Sequence, residues 1–150
     1  MVDQPTESNR IKTSTVQPDE EAHINTLFDL TGRTALITGA SGFLGQSLAR
    51  ALSEAGARVV VSSRKRIKAE KIAALLKGAA QGSHIGIELD QMDETSINAG
   101  FDELLHRVGS LEILVNNGHF RLGADLTDVT GTEFQQLLGN ATGYFLLARR

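Results

Sequence analysis

The sequence contains no cysteine. That excludes disulfides and thiolate metal sites, and it agrees with a reducing, cytoplasmic setting. The four histidines, at 23, 84, 106 and 119, share no ligand spacing, so no metal site is expected. No run of about 18 apolar residues occurs, which removes a helical membrane span from the expectation. The N-terminus is polar and lacks the apolar stretch of a secretory signal. Net charge is −3 and there is no long basic run, so nucleic acid is not an expected partner. The densest basic stretch, Arg64-Lys65-Arg66 with Lys68 and Lys71, reads first as the solvated start of a helix. No Gly-Lys-Ser or Gly-Lys-Thr occurs, which excludes a Walker loop. Proline appears only at positions 5 and 18. Both lie in residues 1–26, a stretch with little to bury, for which a flexible polar tail is the expectation.

What is present centres on Thr38-Gly39-Ala40-Ser41-Gly42-Phe43-Leu44-Gly45. A short apolar stretch ending in Ile37 precedes it, and Phe43 to Ala55 reads as an amphipathic helix. Strand, glycine turn and helix together bring backbone N–H groups and a helix N-terminus up to a phosphate. In that reading Gly39 permits a tight turn, Gly42 lets the backbone touch a pyrophosphate, and Gly45 lets the helix lie close on the sheet. A plain glycine turn is the competing reading.

The rest of the chain alternates in the same manner. Strands are expected at about 33–38, 57–62, 83–89 and 111–115. Helices are expected from Phe43, from about Lys65 to Lys77, after Asp93, and after Thr130. The apolar stripes that define them are Leu44/Leu48/Ala51/Leu52/Ala55, Ile67/Ile72/Leu75/Leu76, Ile97/Phe101/Leu104/Leu105/Val108 and Phe134/Leu137/Leu138/Ala141/Phe145/Ala148. Gly56, Gly78 and Gly109 stand where helices stop. Asp93 can cap the third helix, and Thr130-x-x-Glu133 resembles a capping box. Gly139 and Asn140, poor helix formers, suggest a kink in the last helix or a break between two. Leu27, Phe28 and Leu30 are expected to pack as a lead-in to a domain covering 27–150.

The order βαβαβαβα argues for a doubly wound α/β fold with a parallel sheet. Ligands of such sheets sit beyond the carboxyl ends of the strands. After strand two, an NAD site would carry a carboxylate for the ribose hydroxyl; here the residues are Ser62-Ser63-Arg64-Lys65. Arg64, with Ser63, can instead pair with a 2′-phosphate, so NADP(H) is expected over NAD(H). After strand three, Asp90 can accept from an adenine amino group, or simply form the turn. After strand four, Asn116-Asn117-Gly118 satisfies local backbone groups and can hold strands together beside a ligand.

Taken together these residues resemble the short-chain dehydrogenase/reductase family, classical subtype, over about Phe28 to Arg150. Thr38-Gly39-x-x-Gly42-x-x-Gly45 resembles its cofactor loop, and Asn116-Asn117-Gly118 its Asn-Asn-Ala-Gly. Asp90 falls where the family binds adenine, and Asn140 where its catalytic tetrad has Asn. The resemblance implies a Rossmann-type sheet ordered 3-2-1-4 and reversible hydride transfer between NAD(P)(H) and an alcohol/carbonyl pair. It implies cofactor contacts from Gly39, Ser41, Gly42, Leu44, Gly45, Ser63, Arg64, Asp90, Asn116 and Gly118, with Asn140 as the catalytic-type residue, and it leaves a homo-oligomer open.

Three departures accompany it. Gly42 stands one place earlier than in the usual classical loop. Gly118-His119 replaces Ala-Gly, which would strain His119 if that position needs a positive φ. The family's Ser and Tyr-x-x-x-Lys follow the last helix, whereas this sequence ends at Arg150; Tyr144 is its one tyrosine and Ala148 stands where the Lys would be. The expectation is therefore a fragment that keeps the cofactor elements and is inactive alone. The alternatives are a non-catalytic dinucleotide-binding or interaction module, or a degenerate inactive product.

Overall fold

A computed structural model of the chain describes residues 24–78, 83–123 and 125–150. Four strands, β1 (Thr34–Ile37), β2 (Arg58–Ser63), β3 (Ile85–Glu88) and β4 (Ile113–Val115), alternate with helices. These are α1 (Ile24–Leu27), α2 (Phe43–Glu54), α3 (Arg66–Ala73), α4 (Glu94–Val108) and α5 (Gly131–Arg149). The strands form one parallel sheet, as the alternation predicts, in the order β3-β2-β1-β4 that the family resemblance implies. The first 23 positions of the expected tail lie outside the described residues.

The sheet is apolar on both faces because helices cover both. Leu36, Val60, Ile85 and Ile87 pack on one side with Ile97, Phe101 and Leu104 of α4 and Leu147 of α5. Ile37, Val59 and Val61 pack on the other with Ala49 of α2 and with Ala69 and Ala73 of α3. Each fully buried aliphatic side chain of this kind is worth about 1.5–3 kcal/mol. Where strands stop short, side chains extend the ladder. Val59 N–H donates to His84 Nδ1 at 3.0 Å, and Thr34 N–H to Glu112 Oε2 at 2.7 Å.

Of the α4 stripe, Ile97, Phe101 and Leu104 are buried and Val108 packs against them, while Leu105 is exposed; Asp93 caps that helix through Thr95 N–H. The others follow their stripes only in part, with Leu48, Leu52, Ile72 and Leu76 partly buried against the core. α2 buries Gly45, Ala49 and Ser53, while Ala51 is exposed and Leu44 is 63% exposed; small residues let its axis approach the sheet. α3 is shorter than expected and buries Ala69 and Ala73, leaving Ile67 and Leu75 in solvent. A Cβ on Gly86 would strike the backbone of Ala69 and Glu70, so β3 and α3 touch main chain to main chain. α5 has its capping box, runs unbroken past Gly139, and buries Gly143 and Leu147. Its apolar residues Phe134, Leu138 and Phe145 face outward. Leu27 and Phe28 are likewise exposed; the lead-in is tied instead by Leu30 N–H to Ala55 O at 2.8 Å.

Candidate dinucleotide-binding site

The carboxyl ends of the strands open into a cleft of about 600 Å³. Its floor is the β1–α2 loop. Gly39 has φ +62°, and a Cβ there would lie 2.5 Å from Gly118 Cα, so this turn excludes every side chain twice over. A Cβ on Gly45 would lie 2.6 Å from Gly39 O and 2.8 Å from Asn117 Nδ2. Gly42 differs: its Cβ would meet only Gly39 O, at 3.5 Å. It is the N-cap of α2, and no side chain caps that helix. The loop is thus packed shut at Gly39 and Gly45 and open at Gly42, beside a bare helix N-terminus suited to an anion.

Thr38 and Asn117 clamp this loop to the end of β4. Thr38 Oγ1 accepts from Asn117 N–H at 3.1 Å and Gly118 N–H at 2.9 Å. Asn117 Nδ2 donates to Thr38 O at 3.0 Å and Gly39 O at 3.3 Å. On the far side, Tyr144 Oη donates to Gly118 O at 2.8 Å. A Cβ at position 118 would collide with Gln91 Oε1. That accounts for Gly where the family pattern has Ala: Gln91, 8% exposed, fills the methyl's place. Among the described residues no non-glycine has a positive φ, so His119 carries no such strain.

At the end of β2, Arg64 is exposed, lines the cleft and has no partner among the described residues. Arg66, two positions on, is engaged in a two-point contact with Glu103 at 2.7 and 2.6 Å. That pairing holds the Glu103 carboxyl below its usual range and raises the Arg66 pKa. Ser63 is buried, and its Oγ accepts from Lys65 N–H at 3.4 Å. After β3, Asp90 Oδ1 accepts from Met92 N–H at 3.0 Å. The turn role is therefore real, and Asp90 is still the one carboxylate among the cleft's lining residues.

Of the residues the sequence singles out, Gly39, Ser41, Gly42, Leu44, Gly45, Ser63, Arg64, Asp90 and Gly118 line this one cleft. Asn116 and Asn140 do not. Asn116 turns toward α5, where its Nδ2 lies 3.5 Å from Tyr144 O. Asn140 spends its whole amide behind the loop after β4. Its Oδ1 accepts from Phe120 N–H at 2.6 Å and Gln91 Nε2 at 3.1 Å. Its Nδ2 donates to Phe120 O and Leu137 O, both at 3.0 Å. Two donors and two acceptors exhaust an amide. Sequence reasoning missed Gln91, and it missed Tyr144 as more than a helix-face residue. It gave Thr38 no role of its own, whereas the expected strand-holding role of the Asn-Asn-Gly element falls to Asn117.

The sequence model of the short chain dehydrogenase family matches residues 33–150. D-threitol dehydrogenase of Mycolicibacterium smegmatis is 30% identical over 131 residues, 87% of this chain and 50% of that protein. The structure of a gluconate 5-dehydrogenase from Burkholderia cenocepacia in complex with NADP and tartrate superposes with a TM-score of 0.73. It is 34% identical, with 85% of this chain and 50% of that one covered. A 3-ketoacyl-(acyl-carrier-protein) reductase from Brucella melitensis complexed with NADH gives 0.67 at 30% identity, covering 80% and 48%. The chain spans about half the length of the relatives it matches.

Proposed function

The chain belongs to the short-chain dehydrogenase family, and from that premise we propose that it binds NADP(H), in preference to NAD(H), across the carboxyl ends of its strands. The reaction it serves is hydride transfer between the nicotinamide and an alcohol/carbonyl pair. The bound cofactor supplies the hydride chemistry; these residues bind and orient it. Gly39, Ser41, Gly42, Leu44 and Gly45 receive the pyrophosphate at the start of α2, Arg64 takes the 2′-phosphate, and Asp90 accepts from the adenine. Gly118 forms the wall beyond β1. Asn140 acts as a positioning residue, since its amide is already committed. Asn116 supports the end of β4 from behind. Residues 1–150 hold no Tyr-x-x-x-Lys, so we assign them cofactor binding and no part in proton exchange with the substrate oxygen.

The observation that carries this reading is the opening at Gly42 between two glycines that are packed shut. Unpaired Arg64, in a strand end without a carboxylate, carries the cofactor preference. Calorimetric titration of the chain with NADPH and NADH tests both parts. NADPH should bind more tightly, and Arg64→Ala should weaken NADPH by about tenfold or more while changing NADH little. Absence of binding at millimolar cofactor would overturn the reading. Equal weakening of both cofactors would overturn the preference.

A further inference from the structure

The cleft has a second unpaired cation at its other end. Arg121 is exposed, lines the cleft and has no hydrogen bond or ion pair among the described residues. His119, also lining the cleft, stands two positions before it. Between them Phe120 is fixed at both its backbone groups by Asn140, 2.6 Å at N–H and 3.0 Å at C=O. All three of these residues line the cleft, and the clamp holds the backbone between His119 and Arg121 in place. Asp90, the only carboxylate of the lining, follows β3 at the opposite end of the strand order.

We infer that Arg121, supported by His119, is a recognition site for an anionic substituent of the substrate, so that the alcohol/carbonyl partner is a carboxylate-bearing molecule. The inference rests on the cofactor reading above. Arg64 follows β2, whereas His119 and Arg121 follow β4, with β1 and its glycine loop between them. At about 4.8 Å per strand, two steps separate the two cations by roughly 10 Å along the sheet. A dinucleotide with its 2′-phosphate on Arg64 and its pyrophosphate at α2 extends its reacting half over β4. Arg121 then lies beyond both cofactor phosphates, where the remaining anion to be held is the substrate's. A guanidinium suits a carboxylate because its planar fork matches the two oxygens.

Tartrate and threitol test this, since they share a four-carbon diol and differ in carrying carboxylate or hydroxymethyl ends. The chain is first titrated with NADPH and then, saturated, with each compound. Tartrate should bind about tenfold more tightly than threitol. Added sodium chloride should erode the tartrate affinity and spare threitol. Arg121→Gln should abolish the preference and leave NADPH binding unchanged, and Arg121→Lys should retain part of it. Equal affinities, a preference surviving Arg121→Gln, or a loss of NADPH affinity in that variant would each overturn the proposal; the last would assign Arg121 to a cofactor phosphate. If NADPH fails to bind, the cofactor reading falls by itself. The tartrate preference is then measured on the Arg64→Ala chain, where its presence or absence decides the Arg121 site.

Discussion

Gly42 and Gly45 stand three positions apart in one loop, and a methyl group should do opposite things at each. At Gly45 it would press on Gly39 O, Ala40 Cα and Asn117 Nδ2, all within 2.8 Å. Gly45→Ala should therefore cost about 1–3 kcal/mol of stability through overpacking, read as a lowered urea midpoint. At Gly42 the methyl meets one atom at 3.5 Å, and φ is −82°. Gly42→Ala should cost no more than about 1 kcal/mol, the difference between Gly and Ala at an N-cap, yet on the proposed cofactor reading it should weaken NADPH, since the methyl would stand at the one open point of the loop. Thr38 gives a further test. Its hydroxyl, 1% exposed, accepts from two backbone N–H groups. Thr38→Val strands both donors at about 1–3 kcal/mol each, and Thr38→Ser should recover most of the loss. The tight packing at Gly39 and Gly45 was legible from the glycine spacing. The Thr38 clamp was not, because its partners lie 79 and 80 positions away and only the β1–β4 pairing brings them together.

At the scale of the element, α5 shows how a stripe misleads. Phe134, Leu138, Ala141, Phe145 and Ala148 repeat at helical spacing, yet all are exposed. The face that packs is built of Gly143 and Leu147, with Asn140 and Tyr144 reaching the loop after β4. Close approach to another backbone needs small residues, and periodicity of apolar side chains does not register them. A Cβ on Gly143 would strike the carbonyl oxygen of Gln91, which cannot yield; on Gly139 it would meet Met92 Cε at 2.6 Å, the movable end of a side chain. Gly139→Ala should thus be neutral, or stabilising by up to about 1 kcal/mol from helix propensity. Gly143→Ala should be destabilising by about 1–3 kcal/mol despite the same gain in propensity. Thermal unfolding of the two variants side by side separates packing from propensity. The cap of this helix was legible because Thr130 and Glu133 satisfy each other's backbone groups within four residues.

Over the whole molecule, the parallel sheet with its crossover helices followed from alternation, because crossover handedness leaves little choice, and the strand order came with the family resemblance. The response to acid came with neither, since it depends on contacts between distant residues. Glu103 and His84 both carry pKa values lowered from their ordinary 4.5 and 6.5, for different causes. Glu103 is held down first by its hydrogen bonds from Arg66, and His84 first by burial. His84 Nδ1 must also stay unprotonated to accept from Val59 N–H. A group with a lowered native pKa binds protons more readily when unfolded, so stability falls as pH falls. The window begins at the unfolded value and closes at the native one. His84 therefore erodes stability as pH drops below about 6.5, and Glu103 only below about 4.5. Both partners of the Arg66–Glu103 pair are partly exposed, at 42% and 26%, so solvent screening makes the second contribution modest. The urea midpoint should thus fall in two separate stages between pH 7.5 and pH 3.5. His84→Asn keeps an acceptor for Val59 N–H without a titrating ring; it should erase the upper stage and leave the lower one. A midpoint that stays level from pH 7.5 to 5.5 in the unaltered chain would show that His84 is not the group that couples the β2–β3 junction to protons.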